Sequence, residues 1–329
     1  MERYRPAVSR MFLLVITAGL LIGYCTLRWL LGLSTIDNYE SRYVFITGCD
    51  SGFGNLLAKR LDSMGFNVFA GCLTDEGAES LRKEVSPRLV TVDIDVTSEK
   101  KIHDAFVFVR DTLPDKTGLW AVVNNAGIAC DPGPAEWFPR SEYERLMAVN
   151  VYGMIDVCRT FLPLIRKQHG RIVNCSSLSG RFAVGVAPYC VSKYGVEAYS
   201  DCLRRDLYVE GITVHMIEPL TFKTPMISNL PQRLRSAFER ISPEMQAFYG
   251  QTYLEQCEVV VRKTIDTMVN PNTYLVVDDY VHAITSRFPR ARYMPGNYTK
   301  YLLWVVWSLP EWIVDWMLSL MLPKPAGAK

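Results

Sequence analysis

The sequence predicts an α/β protein in which a doubly wound parallel sheet carries helices on both faces. Three observations point to this fold class. Short β-rich runs alternate with helical segments of ten or more residues across residues 43–290. The predicted strands are continuously apolar, which is typical of a sheet buried on both faces. A glycine-rich turn joins the first strand to the first helix. At 329 residues, the chain is long enough for one large domain or two small ones.

Each predicted strand is a short run rich in β-branched and aromatic residues. The strands are Tyr43–Thr47, Asn67–Gly71, Leu89–Val92, Leu119–Val123, Arg171–Asn174 and Thr213–Ile217. The helices predicted between them are Asn55–Met64, Glu76–Val85, Glu99–Thr112, Ser141–Lys167 and Tyr189–Val209. Because no charge run, repeat or low-complexity linker divides the region, residues 42–290 are predicted to form one domain. Residues 229–250 follow the sixth strand, and we expect this insertion to cover the substrate.

Composition excludes several classes of protein. The net charge of +2 gives no electrostatic footprint for binding nucleic acid. Nine cysteines without a C-x-x-C pair argue against a disulfide scaffold and a structural zinc site. The four histidines are scattered without the spacing of metal ligands, so no metal site is predicted.

The N-terminus is predicted to be a membrane anchor. Residues 1–10 form a short basic flank and residues 11–33 the transmembrane signal anchor. Met11–Leu27 carries no charge, and Arg28 can snorkel to lengthen the span. A cleaved signal peptide is the alternative, but the exit lacks a small-residue cleavage site. The positive flank places the N-terminus in the cytosol and the main domain in the lumen. The sequon Asn297-Tyr298-Thr299 would be usable only there.

Residues 291–329 are predicted to be an apolar, membrane-associated tail. The stretch Tyr301–Leu322 is interrupted by Pro310, Glu311 and Asp315, so it is a poor candidate for a membrane span. Its tryptophans suit the membrane–water interface. The alternative is a tail that packs on its own domain or on a second subunit.

The glycine-rich turn is predicted to hold a dinucleotide. It reads Thr47-Gly48-Cys49-Asp50-Ser51-Gly52-Phe53-Gly54 and opens the first helix. Glycines permit a tight turn and let backbone N–H groups approach a pyrophosphate at the helix N-terminus. The alternative is a glycine-rich turn without a ligand.

The spacing G-x-x-x-G-x-G and the motifs that follow resemble the short-chain dehydrogenase/reductase family over about residues 42–290. The resemblance implies a Rossmann-like fold, a catalytic tetrad and a homodimer formed through the helices Ser141–Lys167 and Tyr189–Val209. The implied tetrad is Asn150, Ser177, Tyr189 and Lys193. The implied cofactor-binding residues are Thr47, Gly48, Asp50, Ser51, Gly52, Phe53, Gly54, Cys72, Asp95, Val96, Asn124, Ala126, Gly127, Tyr189, Lys193, Pro219 and Thr224. Leu220 replaces the glycine that usually follows this proline, and leucine resists positive φ.

The cofactor is predicted to be NAD rather than NADP. An acidic residue after the second strand would bind a ribose 2′-hydroxyl, whereas a basic residue would accommodate a 2′-phosphate. The matching position holds Cys72, and the glycine loop contains no Lys or Arg. The absence of a cation favours NAD.

The pair Tyr189 and Lys193 is the centre of the predicted chemistry. Four residues apart on a helix, the two side chains project from one face. An adjacent ammonium favours tyrosinate and would lower the phenol pKa from its usual value near 10. We expect Tyr189 to exchange the substrate hydroxyl proton, Ser177 to bind the substrate oxygen and Asn150 to position a relay water. Ser176 is the alternative to Ser177. The alternative to this chemistry is that Tyr189 is a core aromatic residue and Lys193 a surface lysine, neither with a catalytic role.

Within the family, the loop, Cys72-Leu73-Thr74 and Tyr189–Ala198 resemble the retinol dehydrogenase and 17β-hydroxysteroid dehydrogenase type 6 branch. This implies a lipophilic retinoid or steroid substrate and an endoplasmic reticulum membrane. Mitochondrial 3-hydroxybutyrate dehydrogenase has similar motifs, but residues 11–27 are too uniformly apolar for a transit peptide. A catalytically silent dinucleotide-binding scaffold or sensor is the alternative of another class.

Overall fold

The computed structural model describes residues 5–296 and 305–328, apart from the side chains of residues 5–11, 13 and 14. Within these ranges, seven parallel strands form one sheet in the order β3-β2-β1-β4-β5-β6-β7. They are β1 (Tyr43–Ile46), β2 (Asn67–Cys72), β3 (Leu89–Asp93), β4 (Ala121–Asn124), β5 (Arg171–Cys175), β6 (Thr213–Ile217) and β7 (Arg292–Tyr293). The strand order reverses between β1 and β4, which is where such sheets bind ligands.

All six predicted strands form within one or two residues of their predicted bounds, and β7 adds a seventh. Arg292 and Tyr293 of β7 pair with Met216 and Ile217 of β6. This strand lies beyond residue 290, in the part of the sequence assigned to the apolar tail. The sheet therefore extends past the predicted end of the catalytic domain. A two-residue strand has no periodicity that a sequence pattern could reveal.

Helices flank the sheet and continue beyond it. They are α1 (Arg5–Gly32), α2 (Gly52–Ser63), α3 (Asp75–Arg82), α4 (Glu99–Thr112), α5 (Arg140–Met147), α6 (Met154–Arg166), α7 (Ala187–Asp206), α8 (Leu230–Arg240), α9 (Pro243–Tyr249), α10 (Gln251–Met268), α11 (Tyr274–Thr285) and α12 (Glu311–Ser319). A π-helical segment, Ala148–Gly153, joins α5 to α6. The predicted helix Ser141–Lys167 is thus continuous but changes its winding in the middle.

Two apolar cores hold the helices on the sheet because side chains alternate between its faces along each strand. Val44 and Ile46 point into the core formed with α2, α3 and α11. Phe45 points into the opposite core, formed with α4, α6 and α7. The rings of Phe45 and Phe161 stack there with centroids 4.3 Å apart.

The segment after β6 forms a separate helical lobe. Helices α8, α9 and α10 share a third apolar cluster with Trp137. The C-terminal end of the chain returns to this lobe, since Ala326 N donates to Tyr249 O at 3.0 Å and Gly327 N donates to Phe248 O at 2.8 Å. The predicted insertion 229–250 therefore consists of α8 and α9, and α10 extends the lobe.

Helix α1 is long and apolar enough to cross a membrane over Val15–Gly32, where its side chains are exposed. The stretch Arg140–Arg166 passes the same test, but half of it is buried in the domain, as in a core helix. The residues after α1 pair with the end of α11. Ile36 N donates to Thr285 O at 2.8 Å, and Gly32 O lies 3.1 Å from the His282 ring.

Candidate active site

A cavity of about 370 Å³ opens at the carboxyl ends of β1, β4, β5 and β6. The glycine loop forms one wall, and the segment after β5 together with α7 forms another. Residues 219–230, which lead into the lobe, complete the lining. The cavity thus lies at the reversal point of the strand order, where two loops diverge.

The glycine loop has the geometry of an anion-binding turn. Gly48 and Gly52 adopt φ of +71° and +65°. A Cβ on Gly48 would lie 2.8 Å from Ala126 Cα, and one on Gly54 would lie 2.3 Å from Gly48 O. Ser51, the N-cap of α2, makes no side-chain hydrogen bond to the helix, so the first N–H groups of α2 are left for another acceptor. These groups and the helix dipole favour a phosphate here.

Asn125 holds the glycine loop against β4. Its Nδ2 donates to Thr47 O at 3.1 Å and to Gly48 O at 3.0 Å. The Thr47 hydroxyl accepts in turn from the N–H groups of Asn125 and Ala126 at 3.1 Å each. The loop is therefore fixed in shape before any ligand enters.

Tyr189 and Lys193 project from α7 into the cavity, as their spacing predicts. The Lys193 Nζ donates to Cys175 O at 2.8 Å and lies 5.6 Å from the centroid of the Tyr189 ring. A Cβ on Gly127 would lie 3.7 Å from this Nζ. Lys193 thus bridges α7, the end of β5 and the loop after β4.

Burial has the largest effect on the pKa of Tyr189. Desolvation raises the pKa of the phenol well above its usual value, and the hydrogen bond with the Ser177 side chain lowers it in part. Burial also lowers the pKa of the Lys193 ammonium, against the attraction of Cys175 and Glu197. The expected lowering of the phenol pKa by Lys193 stays a prediction; in this structure, the ammonium donates to the Cys175 carbonyl.

Ser177 and Ser176 have different surroundings. The Ser177 hydroxyl donates to Pro219 O at 3.3 Å and accepts from Ser179 N at 3.1 Å. The Ser176 hydroxyl is buried without a hydrogen-bond partner in the described structure, and a Cβ on Gly180 would come within 2.8 Å of it. Ser177 is the serine whose side chain hydrogen-bonds with Tyr189.

Asn150 lies in the π-helical segment and is 2% exposed. Its Oδ1 accepts from Ile128 N at 2.8 Å, and its Nδ2 donates to Ile128 O at 2.9 Å and to Ser192 Oγ at 2.9 Å. Both ends of the amide are thus engaged with protein groups. Asn150 ties the loop after β4 to α7, directly beside Lys193.

The residues predicted from the sequence fall into two sets. The first set lines the cavity and comprises Gly48, Asp50, Ser51, Gly52, Phe53, Ala126, Gly127, Ser177, Tyr189, Lys193, Pro219 and Thr224. The second set does not line the cavity and comprises Thr47, Gly54, Cys72, Asp95, Val96, Asn124 and Asn150. In the second set, Asn124 Nδ2 donates to Asn174 Oδ1 at 2.8 Å. The Asp95 carboxylate accepts from the hydroxyl of Thr97 at 2.7 Å.

Sequence reasoning missed the apolar part of the lining. It includes Cys130, Leu178, Val186, Phe222, Met226 and Ile227, from four separate segments, whereas Leu230 belongs to the insertion expected to cover the substrate. Such side chains carry no motif, and the tertiary structure alone brings them together. Leu220 also lines the cavity, and it is not among the four non-glycine residues with positive φ in the described chain. Leucine is therefore accommodated in place of the usual glycine.

Comparison with known families and proteins identifies relatives over most of the chain. The family model described as short chain dehydrogenase matches residues 42–235. The mouse short-chain dehydrogenase/reductase family 9C member 7 is 42% identical over 92% of this chain and 96% of its own. Mouse retinol dehydrogenase 5 is 42% identical over 86% of this chain and 90% of its own. Human 17-beta-hydroxysteroid dehydrogenase type 6 is 41% identical over 93% and 96%.

Solved structures show the same fold. A 3-ketoacyl-(acyl-carrier-protein) reductase from Brucella melitensis, complexed with NADH, is 27% identical with a TM-score of 0.55, covering 60% of this chain and 84% of its own. A short chain dehydrogenase from Burkholderia cenocepacia, in complex with NADP, is 20% identical with a TM-score of 0.63, covering 86% and 98%.

Proposed function

The chain belongs to the short-chain dehydrogenase family, and we propose that it interconverts a lipophilic retinoid or steroid alcohol and its carbonyl at a membrane, with NAD. One observation carries the proposal. A single cavity brings together the glycine loop, the side chains of Ser177, Tyr189 and Lys193, and an apolar lining.

The residues present fit a nicotinamide dinucleotide. The open N–H groups at the start of α2 suit its pyrophosphate, and the space beside Gly52 is open, since a Cβ on this residue would meet no atom within 4 Å. Lys193 and the Gly127 backbone lie next to Tyr189, where the nicotinamide ribose would be held. When bound, this group supplies the acceptor or donor of the hydride.

The protein's own groups move the proton and orient the substrate. In alcohol oxidation, the Tyr189 phenolate oxygen accepts the hydroxyl proton while the carbinol C–H bond breaks and the C=O bond forms. In reduction, the Tyr189 phenol returns that proton to the carbonyl oxygen. The Ser177 hydroxyl orients the substrate oxygen and, once rotated away from Pro219 O, donates a hydrogen bond that stabilises the Tyr189 phenolate. Asn150 is proposed to position a relay water, with its amide holding the backbone at Ile128.

The apolar mouth of the cavity, formed by Met226, Ile227 and Leu230, supports a lipophilic substrate. These residues lead into the helical lobe. The relatives are named for retinol and a hydroxysteroid, both bulky and apolar. The carboxylate of a hydroxybutyrate would need a cation in the cavity. Lys193 is the basic residue among the described lining residues, and its ammonium already donates to Cys175 O. The cavity thus favours the lipophilic alcohol over 3-hydroxybutyrate.

Membrane attachment and assembly complete the proposal. The exposed apolar helix α1 anchors the chain in the endoplasmic reticulum membrane with the domain in the lumen. The sequon at Asn297 lies outside the described residues, so the side of the membrane rests on the flanking charges. The exposed side chains of Tyr152, Val191 and Tyr194 support a homodimer through the helices that carry them.

The test is turnover of a substrate panel by the full-length protein in vesicles. Retinol, androstanediol, estradiol and 3-hydroxybutyrate are each supplied with NAD, and NADH fluorescence is followed. We expect turnover of a retinoid or a hydroxysteroid, and a loss of about 10²-fold or more in Tyr189→Phe. Tyr194→Phe, on the same helix but exposed, is the matched control. No turnover of any alcohol would favour the silent scaffold, and near-normal activity of Tyr189→Phe would refute the mechanism.

A further inference from the structure

Asp50 reaches from the glycine loop to the end of β2. Its Oδ1 accepts from Thr74 N at 2.9 Å, from Thr74 Oγ1 at 2.9 Å and from Leu73 N at 3.1 Å. Its Oδ2 accepts from Leu73 N at 3.0 Å. Thr74 is the N-cap of α3, and its hydroxyl also accepts from Gly77 N at 3.1 Å. The carboxylate therefore accepts hydrogen bonds from both backbone N–H groups that directly precede α3.

The local structure is arranged around this carboxylate. A Cβ on Gly77 would lie 2.7 Å from Asp50 Oδ1 and 2.9 Å from Asp50 Cβ, so a larger residue would displace it. Asp50 also lines the cavity, so its charge faces the space where a dinucleotide would lie.

The end of β2 is where this fold distinguishes a ribose 2′-hydroxyl from a 2′-phosphate. The residue at the usual acidic position is Cys72, which is 2% exposed, with its thiol directed to Ala70 O at 3.7 Å. It therefore lies out of reach of a ribose. Burial and the charge of Asp50 raise the pKa of the Cys72 thiol to about 12, which agrees with a carboxylate close by.

Neighbouring charges add to the negative potential. Asp75 and Glu76 occupy the first turn of α3. Lys101 is paired with Asp93 at the end of β3, and Arg82 Nε donates to Thr91 Oγ1 at 2.7 Å. The charge of Arg82 opposes that of Asp50 at the Cys72 thiol, where burial and Asp50 prevail.

We propose that Asp50 is the residue that selects NAD over NADP, as a carboxylate supplied by the glycine loop in place of the usual acidic residue of β2. Its oxygens accept hydrogen bonds from the N–H groups of Leu73 and Thr74, which an incoming anion would need, and its charge repels a 2′-phosphate. Its Oδ2, which accepts a single N–H in the described structure, keeps a lone pair for a ribose hydroxyl. The inference rests on the proposed function because it concerns the dinucleotide of that same site.

The test measures dinucleotide binding without any alcohol. Fluorescence titration of the full-length protein gives the Kd of NADH and of NADPH for wild type and variants. Asp50→Asn keeps an oxygen acceptor for Leu73 N and Thr74 N but removes the charge. Asp50→Ser is the second variant, in case the amide disturbs folding. Asp75→Asn is the matched control, since it removes the same charge beside Thr74 from a residue outside the cavity lining.

We expect wild type and Asp75→Asn to bind NADH at least tenfold more tightly than NADPH. In Asp50→Asn or Asp50→Ser, this ratio should fall at least tenfold, mainly through tighter NADPH binding. A wild-type protein without preference, or an unchanged ratio in folded variants, would overturn the proposal. Equal weakening of both dinucleotides would do the same, since Asp50 would then only fasten the loop. If NADH binds but no alcohol is turned over, the proposed reaction fails while the assignment of Asp50 stands.

Discussion

At the scale of single residues, the chemistry of the site depends on the pKa of the Tyr189 phenol, which burial and a hydrogen bond shift in opposite directions. Tyr189 is shielded from water, which disfavours its phenolate, while Ser177 supplies the opposing hydrogen bond. A base whose pKa is raised becomes available only as the pH rises. Alcohol oxidation, which needs the phenolate, should therefore increase from pH 7 to pH 10, whereas carbonyl reduction, which needs the phenol, should persist through neutral pH.

Ser177→Ala should move this profile. The substitution removes the hydrogen bond that lowers the phenol pKa, so the rising limb of kcat/KM for alcohol oxidation should shift to higher pH. Loss of the group that orients the substrate oxygen should also lower kcat about 10²-fold. The measurement is kcat/KM against pH with a saturating dinucleotide.

Ser176→Ala is the control for that experiment, because the neighbouring hydroxyl is buried without a partner in the described structure. Its pH profile should match the wild type. A shift caused by Ser176→Ala but not by Ser177→Ala would assign the substrate serine to the other position.

At the scale of secondary structure elements, Arg292 of β7 fastens the catalytic helix to the sheet. Its guanidinium contacts Glu197 of α7, lies 2.6 Å from Glu218 Oε1 after β6 and 3.0 Å from Asp201 of α7. Glu218 is 2% exposed and Glu197 7%. Glu197 follows Lys193 by one helical turn. The short strand β7 thus places one cation between two buried carboxylates, one of them on the catalytic helix α7.

Arg292→Leu should destabilise the protein by about 3–5 kcal/mol, since it leaves the buried Glu197 without this cation and leaves Glu218 with Arg181, 3.6 Å from its Oε2. Urea unfolding of the detergent-solubilised protein, followed by circular dichroism, measures the change. Arg145→Leu is the control. Arg145 pairs with Glu142 on the surface, and its loss should cost less than about 1 kcal/mol. A similarly small loss for Arg292→Leu would show that the carboxylates are neutral or hydrated.

At the scale of the whole molecule, two apolar segments contact opposite ends of the domain. The residues after α1 pair with the end of α11, near Ile284, whose carbonyl accepts from the Trp120 indole just before β4. Trp120 marks the amino-terminal end of β4, opposite the carboxyl end at which the cavity opens. The C-terminal segment lies on the cavity side, where the Arg181 guanidinium stacks 4.3 Å from the Trp307 ring.

The exposed tryptophans of α12 should serve substrate capture at the bilayer. Trp312 and Trp316 lie one turn apart and are 71% and 59% exposed. In the full-length protein in vesicles, replacing both by Glu should raise KM for a lipophilic alcohol roughly tenfold. The kcat should stay within about twofold because the site itself is unchanged. The measurement is initial rate against alcohol concentration in the bilayer.

Val209→Glu is the control for this double variant, as Val209 is 88% exposed and lies on the segment after α7. Its KM should match the wild type. If the double tryptophan variant also keeps the wild-type KM, the tail packs on a second subunit rather than on lipid.

The sequence by itself determined the parts of this protein that depend on local pattern. Continuous apolar runs defined β1 to β6, and the helical periodicity of Glu99–Thr112 matched α4 residue for residue. The glycine spacing defined the dinucleotide turn because positive φ at Gly48 and Gly52 needs glycine. The spacing of Tyr189 and Lys193 placed both on one helix face, since residues four apart are neighbours there.

The tertiary structure alone decided which distant segments meet. Asp50 reaches Leu73, 23 residues away, and Arg292 reaches Glu197, 95 residues away. The apolar mouth and the pairing of β7 likewise join segments far apart in the chain. Local periodicity records which face of an element is buried, but not which element covers it. The pKa of Tyr189 likewise depends on the tertiary structure, because the surrounding segments bury the phenol and raise its pKa.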